Sequence, residues 1–172
     1  GDGGNSNTVS NSTLNNGANG YNLYGSTTVG LTTGNKVLNC LIKDFNVNGI
    51  ISFNSTNSEF TGNTIERPTR VGAASLPKGV ILAAGTQSAT VSYNKIRNLF
   101  GGAVGTAQGY GIQTTVNPAI GFENRIINNL IYQFASNHQI YGIDINVGGN
   151  AKIYHNTIVF DDLTSTSTQQ TY

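Results

Sequence analysis

The chain has no methionine and no tryptophan, one cysteine and three prolines in 172 residues, and charged side chains make up only 10% of it. Each shortage excludes something. A single thiol, Cys40, can form no internal disulfide and no multi-cysteine metal site. No apolar run approaches the roughly 20 residues of a membrane-spanning helix. With a formal net charge of +1 and no Lys/Arg cluster, there is no electrostatic footprint for nucleic acid or an anionic membrane surface. Strong helix formers are scarce. Neutral polar residues fill the gap: 24 Asn, 20 Thr, 13 Ser and 22 Gly. Low hydrophobicity signals disorder chiefly when net charge is high, which is not the case here. Asn and Gly tolerate positive φ and Thr favours strands, so the composition points to an all-β fold of short strands and many turns.

The chain repeats itself around variable connections. Six segments align: NTVSNSTL (7–14), NKVLNCLI (35–42), SEFTGNTI (58–65), ATVSYNKI (89–96), NRIINNLI (124–131) and AKIYHNTI (151–158). Their shared anchor falls on Ser12, Cys40, Asn63, Asn94, Asn129 and Asn156, at spacings of 28, 23, 31, 35 and 27 residues. Three residues earlier comes an apolar residue (Val9, Val37, Phe60, Val91, Ile126, Ile153), preceded by a polar one. Two residues later comes an aliphatic one (Leu14, Ile42, Ile65, Ile96, Ile131, Ile158). Polar–apolar alternation on both sides reads as two half-buried strands with a bend at the anchor. A second motif falls between anchors, beginning at Gly20, Gly49, Gly79, Gly111 and Gly142. It predicts a third strand per repeat.

Such a unit cannot bury its apolar face alone; stacking supplies both core and hydrogen-bond partners. Six anchors predict about six coils, and at ~4.8 Å between paired strands a rod on the order of 30 Å long. The uneven spacing excludes strict hexapeptide or RTX-type solenoids, and a propeller needs a steadier period of about 40–45 residues. A β-sandwich is the competing architecture.

The "V-x-x-N-x-I" turn, a variable loop and "G-I-x-I" together resemble the right-handed parallel β-helix of the pectate-lyase-like superfamily, over about residues 7–160. That resemblance implies a single-stranded parallel β-helix, three short strands per coil, with an inward asparagine ladder at the turn between the second and third sheets. Asn63, Asn94, Asn129 and Asn156 match the ladder; Ser12 and Cys40 depart from it but are small enough for the slot. "QIYGIDINVGGNAKIYHNTIVFDD" and "INNLIYQF" resemble, more narrowly, β-helix repeats in large surface proteins of Bacteroidota exported by the type IX system. This implies an extracellular or cell-surface location.

"AKIYHNTIVFDD" gathers His155, Asn156, Asp161 and Asp162 as if for chemistry. Against the earlier copies, His155 occupies a position held elsewhere by Asn11, Asn39, Gly62, Tyr93 and Asn128. It reads as a permissive turn or edge, with Lys152 in solvent and Ile153 and Ile158 in the core. His138 lies in a polar loop and reads as solvated. Lyases and hydrolases of the resembled fold need grouped carboxylates or a Ca²⁺ site with a basic residue on the first sheet. The first-sheet strands project Asn22 and Tyr24, Ile51 and Phe53, Ile81 and Ala83, Gln113 and Thr115, and Asp144 and Asn146. Asp144 is the one carboxylate of the set, so no catalytic residues are assigned and no metal or cofactor is expected; Asp161 and Asp162 would need other oxygen ligands to hold Ca²⁺.

The expected site is therefore a contact strip of Tyr24, Ile51, Phe53, Ile81, Gln113, Thr115, Asp144 and Asn146. The loops 66–78 and 97–110 could instead fold over it and bury it. Asn-Ser-Thr sequons begin at Asn11 and Asn54. The reading is one β-helix domain over 1–172, a segment of a longer chain, non-catalytic, with a structural or adhesive role. Its partners would be other coils or subunits of the same surface protein, glycans or other surface proteins, without nucleic acid or membrane insertion. Two alternatives stand beside it: a fragment of a polysaccharide lyase or glycoside hydrolase whose catalytic coils lie elsewhere, and a carbohydrate-binding module.

Overall fold

In the computed structural model, residues 4–28, 30–70, 76–101, 107–136, 138–147 and 149–160 are described. They form a parallel β-helix with three long sheets. Sheet A stacks six strands, Thr8–Ser10, Lys36–Leu38, Glu59–Thr61, Thr90–Ser92, Asn124–Ile127 and Ala151–Tyr154. Sheet B stacks the six that follow each anchor, Thr13–Asn15, Leu41–Lys43, Thr64–Glu66, Lys95–Arg97, Leu130–Tyr132 and Thr157–Val159. Sheet C holds the five strands of the glycine motif, Asn19–Tyr24, Asn48–Phe53, Lys78–Leu82, Gly109–Thr114 and Ile140–Ile145. A two-stranded ladder, Thr32–Thr33 with Ser55–Thr56, joins two coils beside sheet A. The chain visits A, B and C in turn, which gives five full turns.

Like residues lie over like. In sheet A the register pairs Val9 with Val37, Val37 with Phe60, Phe60 with Val91, Val91 with Ile126 and Ile126 with Ile153. In sheet B, Leu14, Ile42, Ile65, Ile96, Ile131 and Ile158 stack likewise. From Ile42 to Ile131 these aliphatics are fully buried, each contributing about 2 kcal/mol of burial free energy. The last coil differs from expectation. Ile153 is 41% and Ile158 40% exposed, because each packs on the coil below and has no described coil above.

The bend between sheets A and B takes two residues, and their conformations explain its sequence. The residue before the anchor is left-handed in every coil: Asn11, Asn39, Gly62, Tyr93, Asn128 and His155 have φ between 49° and 72°. The slot holding His155 is permissive in side chain but strict in backbone, which is why Asn and Gly recur there. The chain thereby reverses within one residue and sends the anchor side chain inward.

Four anchors form a continuous amide ladder. Asn63 Nδ2 donates to Asn94 Oδ1 (3.0 Å), Asn94 Nδ2 to Asn129 Oδ1 (2.9 Å) and Asn129 Nδ2 to Asn156 Oδ1 (2.9 Å). The same oxygens accept the backbone N–H of the preceding anchor, and each amide also donates to a carbonyl of the coil before it, as Asn129 does to Val91 O. At the low-numbered end Cys40 N donates to Asn63 Oδ1 (2.9 Å), while its thiol lies 3.7 Å from Val9 O and 3.4 Å from Leu38 O, a weak imitation of the amide. Ser12 stands outside the amide chain, its hydroxyl donating to Ser10 O at 2.8 Å.

A second polar column borders the start of sheet A. Asn7 N and Nδ2 donate to Asn35 Oδ1, Asn35 Nδ2 donates to Gly4 O, and Ala89 N donates to Asn124 Oδ1. Ser58 fills the rung between them, its buried hydroxyl without a protein partner.

Sheet C depends on its glycines. A Cβ on Gly79 would lie 2.5 Å from both Ile96 Cγ2 and Gly111 O; Gly20, Gly49, Gly111 and Gly142 are pressed in the same way by the aliphatic column of sheet B and, the last excepted, by the next glycine's carbonyl. The motif glycine thus faces inward, and the residue after it (Ile50, Val80, Ile112) is core as well. Two inward positions in succession leave the residue before the glycine on the outside.

Candidate contact surface on sheet C

The outer face of sheet C carries three parallel rows. Register aligns Asn22, Ile51, Ile81, Gln113 and Asp144 in the middle row. Tyr24 pairs with Phe53 in the next, and Ala83, Thr115 and Asn146 continue it, their N–H groups bonded to Ser52, Leu82 and Thr114 carbonyls. All eight strip residues read from the alternation therefore share a face, though not one environment. Tyr24 is 56% exposed and its ring stacks on Phe53 at 5.5 Å between centroids. Ile51, Phe53, Ile81, Thr115 and Asp144 are half-buried, and Asn146 is exposed. Gln113 is buried at 6% exposure, with Nε2 donating to Asp144 Oδ2 at 2.8 Å. An amide tied to a carboxylate is a fixed polar element rather than a free pair of groups.

The third row went unread in the sequence. Asn19, Asn48, Lys78, Tyr110 and Tyr141 align one step ahead of the glycines. Asn48 Nδ2 donates to Asn19 Oδ1 (2.8 Å), Lys78 Nζ lies 5.4 Å from the Tyr110 ring centroid, and Tyr110 and Tyr141 stack at 5.0 Å with 6° between planes. Both phenols donate to glutamines, Tyr110 to Gln108 Oε1 and Tyr141 to Gln139 Oε1, and Gln108 Nε2 donates to Gln139 Oε1 at 2.7 Å. Burial lowers the Lys78 pKa. Burial first, then the charges of Asp144 and Tyr141, raises the Tyr110 phenol. The signal available was the residue preceding each motif glycine; strict alternation would put it on the inner face, and the double inward step overrides that rule.

The loop after Glu66 is fixed from inside. Arg67 is fully buried, Nε donating to Phe45 O at 2.7 Å and Nη1 to Leu99 O at 2.6 Å. Asp44 accepts from Thr69 N, Thr69 Oγ1 and Arg70 N. The stretches 71–75 and 102–106 of the two loops that could instead bury the strip, and Asp161 and Asp162, lie outside the described residues.

Elsewhere the candidate polar residues scatter. His155 is exposed at its left-handed turn, and His138 is exposed in its loop with its backbone N–H on Ser136 Oγ. Lys152 is exposed, 3.4 Å from Glu123. Asn11 is exposed, whereas Asn54 is buried with its amide toward Gly25 O, which leaves the first sequon alone accessible. Among the described residues no three His, Cys, Asp or Glu side chains gather as a metal site.

The repeat, the three parallel sheets and the inward ladder agree with a family model described as a right handed beta helix region, which matches residues 2–158. The chain belongs to that family. Neither the search of curated proteins nor that of solved structures returned a match. Family membership establishes the solenoid.

Proposed function

We propose that this β-helix is a non-catalytic module of an extracellular or cell-surface protein, structural and adhesive in role, whose outer sheet C face contacts a glycan or another surface protein. The observation that carries the reading is the Tyr24–Phe53 stack. Tyr24 is more than half exposed, its ring is held by its neighbour, and Ile51 and Ile81 extend an apolar surface beside it. Pre-stacked aromatics bordered by amides offer contact area at little further entropy cost. The middle row supports the non-catalytic part: its one carboxylate, Asp144, is engaged by Gln113. Narrower likeness to exported repeats of Bacteroidota supports the surface location, and other coils or subunits of the parent protein are the partners proposed for its ends.

The test is binding of the fluorescently labelled protein to a glycan array and to immobilised surface-protein extracts. Tyr24→Ala is expected to abolish the signals that the parent gives, with thermal stability unchanged. Signals undiminished in Tyr24→Ala, or a parent protein with none, would count against the proposal. A second reading differs from the fragment alternative in placing a lyase's basic residue within this chain: Lys78, its pKa lowered by burial, shares the outer face of sheet C with Asp144. It predicts ultraviolet-absorbing unsaturated product from a uronan with Ca²⁺, lost in Lys78→Met.

A further inference from the structure

On the flank away from the sheet C surface, the connections from sheet C to sheet A differ in length. The turns through Asn57 and Ser88 are short and left-handed, with φ of 53° and 51°. The next connection, residues 115–123, is longer and stands beside them, held where Ser88 N donates to Phe122 O at 2.8 Å. Between them opens a polar cleft of about 270 Å³ lined by Asn57, Ser88, Gly121, Glu123 and Arg125.

Its polar groups divide into two sets. Glu123 is committed: Oε1 accepts Gly121 N at 3.1 Å and Oε2 lies 3.4 Å from Lys152 Nζ. The backbone N–H groups of Gly121 and of Glu123 itself, and then the Lys152 ammonium, hold its carboxyl below the usual carboxylate range. Among the described residues the Asn57 amide, the Ser88 hydroxyl and the Arg125 guanidinium show no hydrogen-bond partner, Asn57 and Arg125 being exposed and Ser88 half-buried. The cleft thus offers an ionised acceptor and unused donors side by side. Phe122 and Ile120 on the longer connection are 49% and 85% exposed.

We infer that this cleft is a second binding site, taking one unit of a neutral saccharide through its vicinal hydroxyls. A hydroxyl donates to a carboxylate with its proton and accepts from a guanidinium or amide with its lone pairs. Two adjacent hydroxyls therefore satisfy Glu123 and Arg125 together. Glu123 with Lys152 and Arg125 leaves one net positive charge about the cleft, so a small anion is the competing ligand, and acetate is the comparison that separates it from a polyol. The cleft falls just below the roughly 300–1,000 Å³ of small-ligand sites, which suits one sugar unit rather than a chain. This site is independent of the sheet C surface and stands or falls apart from it.

The test uses ¹⁵N-labelled protein titrated with methyl α-mannoside, methyl β-glucoside and methyl β-galactoside, with glycine and sodium acetate as comparison ligands. At least one glycoside is expected to shift the Ser88, Gly121, Glu123 and Arg125 amides. Its dissociation constant should rise about tenfold or more in Glu123→Gln and in Arg125→Gln, as loss of a charged hydrogen bond predicts, and stay unchanged in Tyr24→Ala. Shifts with acetate or glycine alone, a glycoside response undiminished in both variants, or no response to any glycoside at millimolar concentration would overturn the inference.

Discussion

In the last four coils a single anchor asparagine meets several demands at once. The side chain of Asn129 accepts from Asn94 N and Nδ2 and donates to Val91 O and Asn156 Oδ1, all at about 3 Å, while fully buried. Asn129→Ala should cost about 3 kcal/mol in urea unfolding, because it strands buried donors on Asn94 and a carbonyl on Val91. The residue before the anchor is governed by φ alone. Tyr93 at φ 55° and 63% exposure should accept Asn or Gly without loss, whereas Tyr93→Ile should cost about 1–2 kcal/mol, since a branched Cβ is least tolerant of the left-handed region. At this scale the sequence was legible wherever one residue type serves one purpose. The ladder was readable because only an amide both donates and accepts there. The left-handed slot was harder, because a conformational demand leaves a mixed column of Asn, Gly, Tyr and His.

Among the elements, the sheet C strands are the least forgiving. Their glycines sit against the aliphatic column of sheet B on one side and a carbonyl of the neighbouring strand on the other. Gly79→Ala should destabilise by about 3 kcal/mol. Pairing it with Ile96→Ala, which removes the clashing Cγ2, should recover little beyond the cost of that truncation, because the Gly111 carbonyl stays in place. A comparison of single and double mutants by thermal denaturation separates the two contacts. The glycine was legible as a recurring residue, yet its consequence was not. Two successive inward residues cannot be foreseen from period-two alternation, so Lys78, Tyr110 and Tyr141 were assigned to no surface while Gln113 was assigned to an open one. The polar cleft was also unreadable, because it arises from adjacent connections of unequal length rather than from any motif.

For the whole molecule, coils touch only their neighbours, and stability should be distributed accordingly. Amide exchange is expected to be slowest at the central rungs, Ile65, Ile96 and Ile131, and to quicken by Ile158, where the core residue is 40% exposed. Uniform protection along the rod, measured by hydrogen-exchange NMR, would contradict a nearest-neighbour solenoid. Fold class was the most legible property of this sequence because it was written six times over, so that no single departure, such as Cys40 or His155, could hide it.

The ladder also makes its inner coils interchangeable. Asn94 and Asn129 each give to one neighbour what they receive from the other, so neither rung records its own position in the stack. Excising residues 64–94, from one anchor to the following one, would join Asn63 to Lys95 and set Asn63 directly against Asn129. The amide chain would close again one rung shorter. Length in this molecule is then a matter of copy number. A rod of this kind can be shortened or extended by whole units, while the loops of each surviving coil, and whatever they grip, travel unchanged.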